Sequence, residues 1–346
     1  MAEGVTVTAE QLAVLAEAIF TAKGMAREHA RTVAEVLVWA DLRGAPSHGV
    51  QRIPRYIEII EADKMNLRPQ MTIAKELRGA VLIDADRAPG QVSMSFAAAE
   101  AARKAKESGI GLALVRRTTH TAALGFYTRL AALQGMAALA GSASWPNMIY
   151  HGARDAGVAT NPLSIAVPRG RGEPMILDMA TGVVALGKIV HAARSGKAIP
   201  EGWALDKDGQ PTTDPKSAAF PLPLGGPKGS GLALMIECIA SLITQNPLIA
   251  ETLEGTAEGK KHRQNAFLIA IDIAAFGALD LFASSLERTI ADLKALPRQD
   301  GIAEILMPGE RGEREAVRRR RDGMAIPAAT WAEIGRVAAR FGVAMP

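Results

Sequence analysis

Cysteine is nearly missing. Cys238 stands alone in a chain of 346 residues, so no internal disulfide can form, and a reducing cytosol is the expected setting. The apolar residues at 234–236 and 239 around it read as a buried helix face, so Cys238 is expected to pack rather than to act as a nucleophile. Aromatic residues make up only 4% of the chain, too few for the stacking platforms that hold single-stranded nucleic acid. Charge of one sign is lacking too. Forty basic against 36 acidic residues leave +4, a weak attraction for small anions and no polyanion-binding face. No apolar run approaches the roughly 18 residues of a membrane span, and Glu3 and Glu10 stand where a secretory leader would be basic. The six histidines are too scattered to suggest a zinc site by spacing. The reading is a cytoplasmic protein with no metal, nucleic-acid or membrane partner.

What is present suits a globular enzyme. Hydrophobic residues are 48% and charged residues 22%, and the length allows about two domains. Thr8 and Gln11 fit a capping box ahead of Leu12, Leu15, Ala16, Ile19 and Phe20, which share one helix face. A second helix is predicted over 27–42, stopped near Gly44. Ala45-Pro46-Ser47-His48-Gly49 is a turn, and a third helix follows with Ile53, Tyr56, Ile57 and Ile60 inward. From about residue 75 the texture becomes α/β. Strands are expected at 80–84, 111–115, 136–140, 163–167, 175–177 and 267–271, with a helix over 92–106 and a sheet of mixed rather than purely parallel pairing. Residues 199–224, rich in proline and glycine, read as a long ordered loop or lid. Helices are expected again at 313–322 and 328–341. Three regions follow: 1–75 helical with the Ser-His-Gly loop, 76–305 an α/β core, and 306–346 a helical end.

Three segments carry candidate chemistry. Ser47-His48-Gly49 with Arg52 pairs a side chain suited to proton exchange near neutral pH with a guanidinium that can grip a carboxylate through two hydrogen bonds. The plainer reading makes His48 a turn cap and Arg52 a solvated charge. His120 sits among small residues between a strand and a helix, where ligands of α/β proteins collect; an isolated histidine is more often structural. Gly225-Gly226-Pro227-Lys228-Gly229-Ser230-Gly231 lies directly before a helix expected to begin at Leu232. Glycines there allow close backbone approach, and helix-end amides with Lys228 suit phosphate. It matches neither the Walker order nor the dinucleotide fingerprint, which should open the first strand–helix unit. A simple capping turn, or a non-redox phosphate-ligand binder, would also explain it. His29, His151, His191 and His262 are expected in surface or packing roles, and the Arg318 to Arg321 run on a solvated helix face.

The order of these segments is more specific than any one of them. Ser47-His48-Gly49-Val50 with Arg52 and Tyr56, then His120, Thr160-Asn161-Pro162, Asp178-Met179-Ala180-Thr181 and Gly187-Lys188-Ile189 recur in sequence. Pro200-Glu201-Gly202-Trp203, Thr212-Thr213-Asp214-Pro215, the 225–231 loop and Pro308-Gly309-Glu310 complete the series. The set resembles the type-2 malate/L-lactate dehydrogenase family, which includes ureidoglycolate, sulfolactate and diketogulonate-reducing enzymes and cyclic-imine reductases, over nearly the whole chain. The resemblance implies an α/β, mixed-sheet fold of non-Rossmann type with an N-terminal helical region, assembled as a homodimer with the cofactor near the subunit interface. It implies NADH or NADPH as cofactor and a small 2-oxo acid/2-hydroxy acid pair as substrate. By the same resemblance His48 is a leading proton donor with Ser47 beside it, and His120 has the acid/base role in some members, so the choice between them stays open. Arg52, Thr160 and Lys188 match substrate contacts. His120, Asp178, Met179, Ala180, Lys228, Gly229, Gly309 and Glu310 match cofactor contacts. Two departures bear on the substrate. Thr119-His120-Thr121-Ala122 replaces the family's frequent Asn-His-Phe-Gly, and Lys188 stands where the cyclic-imine reductases carry aspartate, which favours hydroxy acids. Ala122-Ala123-Leu124 and His151-Gly152-Ala153-Arg154 resemble the imine branch, so a cyclic ketimine reductase is the alternative.

Overall fold

The computed structural model describes residues 4–255 and 264–346. At the start, β1 (Val5–Val7) pairs antiparallel with a strand near the other end of the chain, Met324–Ile326. The predicted capping box then opens α1 (Ala9–Ala22): the Thr8 hydroxyl accepts the Gln11 amide at 3.1 Å, and the Gln11 side chain accepts the Thr8 amide at 2.9 Å. Leu12, Leu15, Ala16, Ile19 and Phe20 are buried as their spacing requires. Helix α2 (Arg27–Leu42) stops before Gly44, whose φ of +75° is open to glycine at little cost. Two short 3₁₀ turns, Pro46–His48 and Val50–Arg52, lead into α3 (Ile53–Glu61). Ile53, Tyr56, Ile57, Ile59 and Ile60 are buried there.

The core is one seven-stranded sheet. Its strands are β2 (Thr72–Glu76), β3 (Ala80–Asp84), β4 (Ile110–Thr118), β5 (Met136–Ala143) and, after the small hairpin β6 (Met148–Ile149) and β7 (Ala156–Val158), β8 (Leu163–Val167) and β9 (Met175–Met179). Between them run α4 (Gly90–Ser108) and α5 (Gly125–Ala132), and the later elements are α6 (Leu186–Ser195), three two-residue strands β10 (Ala204–Leu205), β11 (Pro211–Thr212) and β12 (Phe220–Pro221), then α7 (Pro227–Glu237) and α8 (Ile249–Leu253). The central strand comes last: β13 (Gln264–Asp272) inserts between β4 and β5, giving the order β2-β3-β4-β13-β5-β8-β9. Only β3 and β4 run parallel, joined through α4; every other pairing in the sheet is antiparallel. The sheet is mixed, as the sequence implied, and lacks the repeated parallel crossovers of a doubly wound fold.

Burial on both faces explains the apolar run of β13, where Ala266, Phe267, Leu268 and Ala270 are buried. Helix α4 covers one face through Ala97, Ala98, Ala101 and Ala105. On the other, Ile236 and Ala240 pack with Leu114, Ala143 and Phe267. The chain ends with α9 (Leu279–Lys294), α10 (Glu310–Asp322), β14 (Met324–Ile326) and α11 (Ala328–Arg340).

Four expectations shift. The helix after the glycine loop starts at Pro227 rather than Leu232, because Gly226 (φ +63°) supplies the turn and proline suits a first helical position. Residues 199–224 are not a bare loop: β10, β11 and β12 form a small antiparallel sheet within them. Cys238 is half-buried rather than fully buried, at the start of a π-helical turn. Helix α9 was unforeseen, since among its residues only Ile290 is buried.

Candidate active site

The His48 loop stands on a buried acid. The Asp41 carboxylate, near the end of α2, accepts the Val50 amide at 2.7 Å. Burial pushes its carboxyl up to about 7, against the opposing pull of that amide and of Arg319. On this support the turn presents three side chains. Ser47 Oγ lies 3.0 Å from His48 Nδ1. Arg52 Nε donates to the Ser47 carbonyl at 2.6 Å, and its two terminal nitrogens have no protein partner among the described residues. His48 is half-buried; burial first, and the Arg52 charge second, lower its pKa to about 4. The imidazole is therefore neutral at physiological pH, with one nitrogen able to accept a proton.

His120 enters from the end of β4, at the mouth of the one parallel crossover. Its loop is clamped to the start of α4: the Thr119 hydroxyl accepts the Gly90 amide at 3.1 Å and donates to the Ala88 carbonyl at 2.9 Å. The approach is so close that a Cβ on Gly90 would lie 2.4 Å from the His120 carbonyl oxygen. Two residues on, Ala122 has φ +55°, a strained value for a residue with a side chain and of the kind that gathers at functional sites. The half-buried His120 ring lies nearly parallel to that of His48, 5.8 Å between centroids and 20° between planes. Its Nδ1 is 2.7 Å from the Tyr56 hydroxyl, which accepts from Gln91 Nε2 at 2.8 Å. Burial, then Arg52, then His48 hold its pKa well below the ordinary value.

The end of β9 joins this pair to the glycine loop. Asp178 accepts the Gly125 amide at 2.8 Å, tying the strand to the helix that follows His120. Met179 and Ala180 continue half-buried. Thr181 is buried; its carbonyl accepts the Leu224 amide at 2.9 Å, and its amide points to the Thr160 carbonyl at 3.4 Å. Gly229 packs onto the same carbonyl, where a Cβ would stand 2.5 Å away. The half-buried Thr160 is anchored by its amide to Asn147 Oδ1 at 3.1 Å. A cavity of about 410 Å³ opens alongside, lined in part by His151, Val183, Gly225 and Gly226.

These residues fit a dinucleotide. The exposed Lys228 at the start of α7 suits a pyrophosphate, whereas the amides of Lys228, Gly229 and Ser230 already donate to the carbonyls of Gly225, Leu224 and Gly226. The Thr181 hydroxyl is buried with no hydrogen-bond partner among the described residues, an orphan that a ligand can satisfy.

Lys188 is exposed on α6, next to Gly187, whose absent side chain lets the helix seat against Ser47: a Cβ there would lie 2.6 Å from Ser47 Cβ. Gly309 lies against β9 near Ile176, and its carbonyl accepts Arg43 Nη2 at 2.9 Å. The Glu310 carboxylate is committed within the protein. It takes Lys294 at 2.5 Å, Arg314 at 2.6 Å and the Met307 amide at 3.0 Å, and these contacts hold its pKa at about 2. Of the other histidines, His151 is exposed beside Gly226, and His29 is half-buried near Glu28. His262 and the side chain of His191 lie outside the described residues. In the arginine run, Arg318 and Arg321 pair with Glu315 and Asp322 at the surface, whereas Arg319 reaches the Asp41 carbonyl under the His48 loop.

Sequence reasoning passed over Tyr56, Gln91 and Asp41 as site residues. Tyr56 entered as an inward position of the third helix and as part of the Ser47-His48 motif, with no role of its own. Asp41 gave one signal, an acid within the apolar stripe of α2, and Gln91 gave one in its place just after Pro89-Gly90.

The chain is similar to known proteins over nearly its whole length. The malate/L-lactate dehydrogenase family model matches residues 7–335. A malate dehydrogenase of Pyrococcus horikoshii is 34% identical over 94% of this chain and 92% of its own. The NAD(+) ureidoglycolate dehydrogenase of Escherichia coli O157:H7 is 32% identical over 88% and 87%. A Delta(1)-pyrroline-2-carboxylate/Delta(1)-piperideine-2-carboxylate reductase of Pseudomonas putida is 32% identical over 91% and 92%. Among solved structures, malate dehydrogenase from Entamoeba histolytica superposes with a TM-score of 0.95 at 26% identity, covering 99% of this chain and 100% of that one.

Proposed function

The chain belongs to the malate/L-lactate dehydrogenase family, and from that premise we propose that His48 exchanges the proton and Arg52 holds the carboxylate of its substrate. The protein is a nicotinamide-dependent oxidoreductase acting on a CH–OH group, and it interconverts a 2-hydroxy acid and its 2-oxo acid. The observation that carries the proposal is the pairing on one turn of a neutral His48 with Arg52, whose two terminal nitrogens have no protein partner among the described residues.

A bound nicotinamide would supply the hydride chemistry at C2 of the hydroxy acid or oxo acid. The protein's own groups do the rest. Arg52 forms the two-pronged grip that a carboxylate matches, which fixes C2 and its oxygen relative to the imidazoles. In oxidation His48 Nε2 accepts the hydroxyl proton while Nδ1–H donates to Ser47 Oγ; in reduction the same nitrogen returns it. A hydroxyl suits this post because it can accept or donate as the ring changes state. Lys228 and the Thr181 hydroxyl would hold the cofactor's phosphates, Gly229 would allow close approach by its lack of a side chain, and Asp178, Met179, Ala180 and the Gly309 turn would complete the cofactor site. Thr160 and Lys188 flank the substrate. A cyclic imino acid is the alternative substrate class, favoured by the Pseudomonas putida relative. A homodimer is supported by an apolar stripe left exposed from α7 into the π-helical turn, Leu232, Met235, Leu242 and Ile243; sedimentation as a single chain would remove it. The N-terminal helices, the sheet region and the C-terminal helices are proposed as the three working regions.

The test is His48→Gln. Turnover should fall by about 10²–10⁴-fold with cofactor affinity retained; an unchanged rate removes His48 from the mechanism.

A further inference from the structure

The two imidazoles are held by different partners, and the difference assigns them different work. Ser47, beside His48, has a hydroxyl that can turn either way. Tyr56, beside His120, cannot. Its hydroxyl is buried and has two neighbours, Gln91 Nε2 at 2.8 Å and His120 Nδ1 at 2.7 Å. The Gln91 nitrogen is a donor, so it occupies a lone pair of the phenol oxygen. The phenol proton must then go to the one acceptor left, His120 Nδ1, because a buried donor left without a partner is strongly disfavoured. Turning the Gln91 amide over would leave both of its N–H groups unpaired, where the present orientation leaves one N–H and the carbonyl oxygen without a partner among the described residues. Orphaned buried N–H groups are the rarer of the two.

From this relay we propose that Gln91 and Tyr56 are positioning residues that lock His120 in the Nε2–H tautomer, making it a fixed hydrogen-bond donor to the substrate's C2 oxygen and leaving proton transfer to His48. The inference rests on the reading of this site as a 2-hydroxy acid dehydrogenase. It divides two roles that the sequence leaves interchangeable. With Nδ1 accepting from Tyr56, His120 has no free lone pair to act as a base. Burial pushes the Tyr56 hydroxyl up to about 12, so it keeps the proton it donates. Arg52 and His48 face the same ring and oppose a second proton on it. A neutral N–H aimed at an oxygen that gains negative charge during hydride transfer stabilises that charge without itself ionising.

Side-chain mimicry separates the roles. Gln places an N–H close to where histidine carries Nε2–H, but cannot exchange a proton. His120→Gln should keep kcat within about tenfold of wild type, whereas His120→Ala should lose about 10²–10³-fold, the usual loss for one such donor. If His120→Gln is as slow as His120→Ala, His120 transfers a proton and the proposal is overturned. A second readout needs no turnover. In ¹⁵N-histidine NMR of the intact protein, His120 Nδ1 should be unprotonated and Nε2 protonated from pH 6 to 9. In Tyr56→Phe this preference should relax and kcat should fall with little change in KM. A His120 carrying its proton on Nδ1 in the wild type overturns the proposal whatever the variants do. Failure of the His48→Gln test would sink the broader reading while leaving the tautomer assignment standing, so the two failures are distinguishable.

Discussion

At His48, burial and the Arg52 charge act in the same direction, and both disfavour the imidazolium. On the proposed mechanism the neutral ring in the free enzyme is the base that takes the hydroxyl proton. Binding a carboxylate on Arg52 neutralises one of the two causes, so the ring becomes easier to protonate once substrate is in place, which reduction requires. This has a visible sign. For oxidation of the hydroxy acid, kcat/KM reports the free enzyme and needs neutral His48. With its pKa lowered to about 4, kcat/KM should stay level from about pH 9 down to about pH 5 and fall only below that. Arg52→Gln should move the acid limb upward as well as weakening substrate binding. An acid limb in the wild type near the ordinary histidine value of about 6.5 would contradict the assigned environment.

Single elements place these residues, and some were plain in the sequence. The capping box of α1, the span of α2 and the inward face of α3 follow from local chemistry, and they locate the His48 turn. Strands β3, β8 and β9 could be read from apolar runs between turn residues. Local pattern could not supply tertiary partners. Nothing in the residues around His120 says that Tyr56, 64 positions earlier, reaches its Nδ1. Nor could Gly187 be seen as the seat of α6 on Ser47, because that need arises only when two distant segments meet. Gly187→Ala should push α6 away from Ser47. Overpacking of this kind costs about 1–3 kcal/mol. The expected outcome is a lower melting temperature together with a reduced kcat, since the Ser47–His48 contact is disturbed. A melting temperature and kcat both equal to wild type would show that the helix does not bear on the loop.

For the molecule as a whole, the order of motifs along the chain carried the family and the fold, while strand order stayed hidden. Strand β13 lies at the centre of the sheet yet comes last of its strands in sequence, so no reading of neighbours could place it between β4 and β5. That insertion leaves a single parallel crossover, and the site gathers at its open end, where the His120 loop, the end of β9 and the glycine loop converge. In the region described, no helix is long and apolar enough to cross a membrane. The convergence of a carboxylate grip, a proton acceptor and a dinucleotide cradle is the central claim. Its most direct test is the oxidation of NADH and of NADPH, measured separately, with pyruvate, oxaloacetate, bulkier 2-oxo acids and cyclic imino acids as acceptors. The account predicts turnover with at least one 2-oxo acid, lost in His48→Gln. Turnover with the cyclic imines alone, or with no member of the panel while the cofactor still binds, would contradict it.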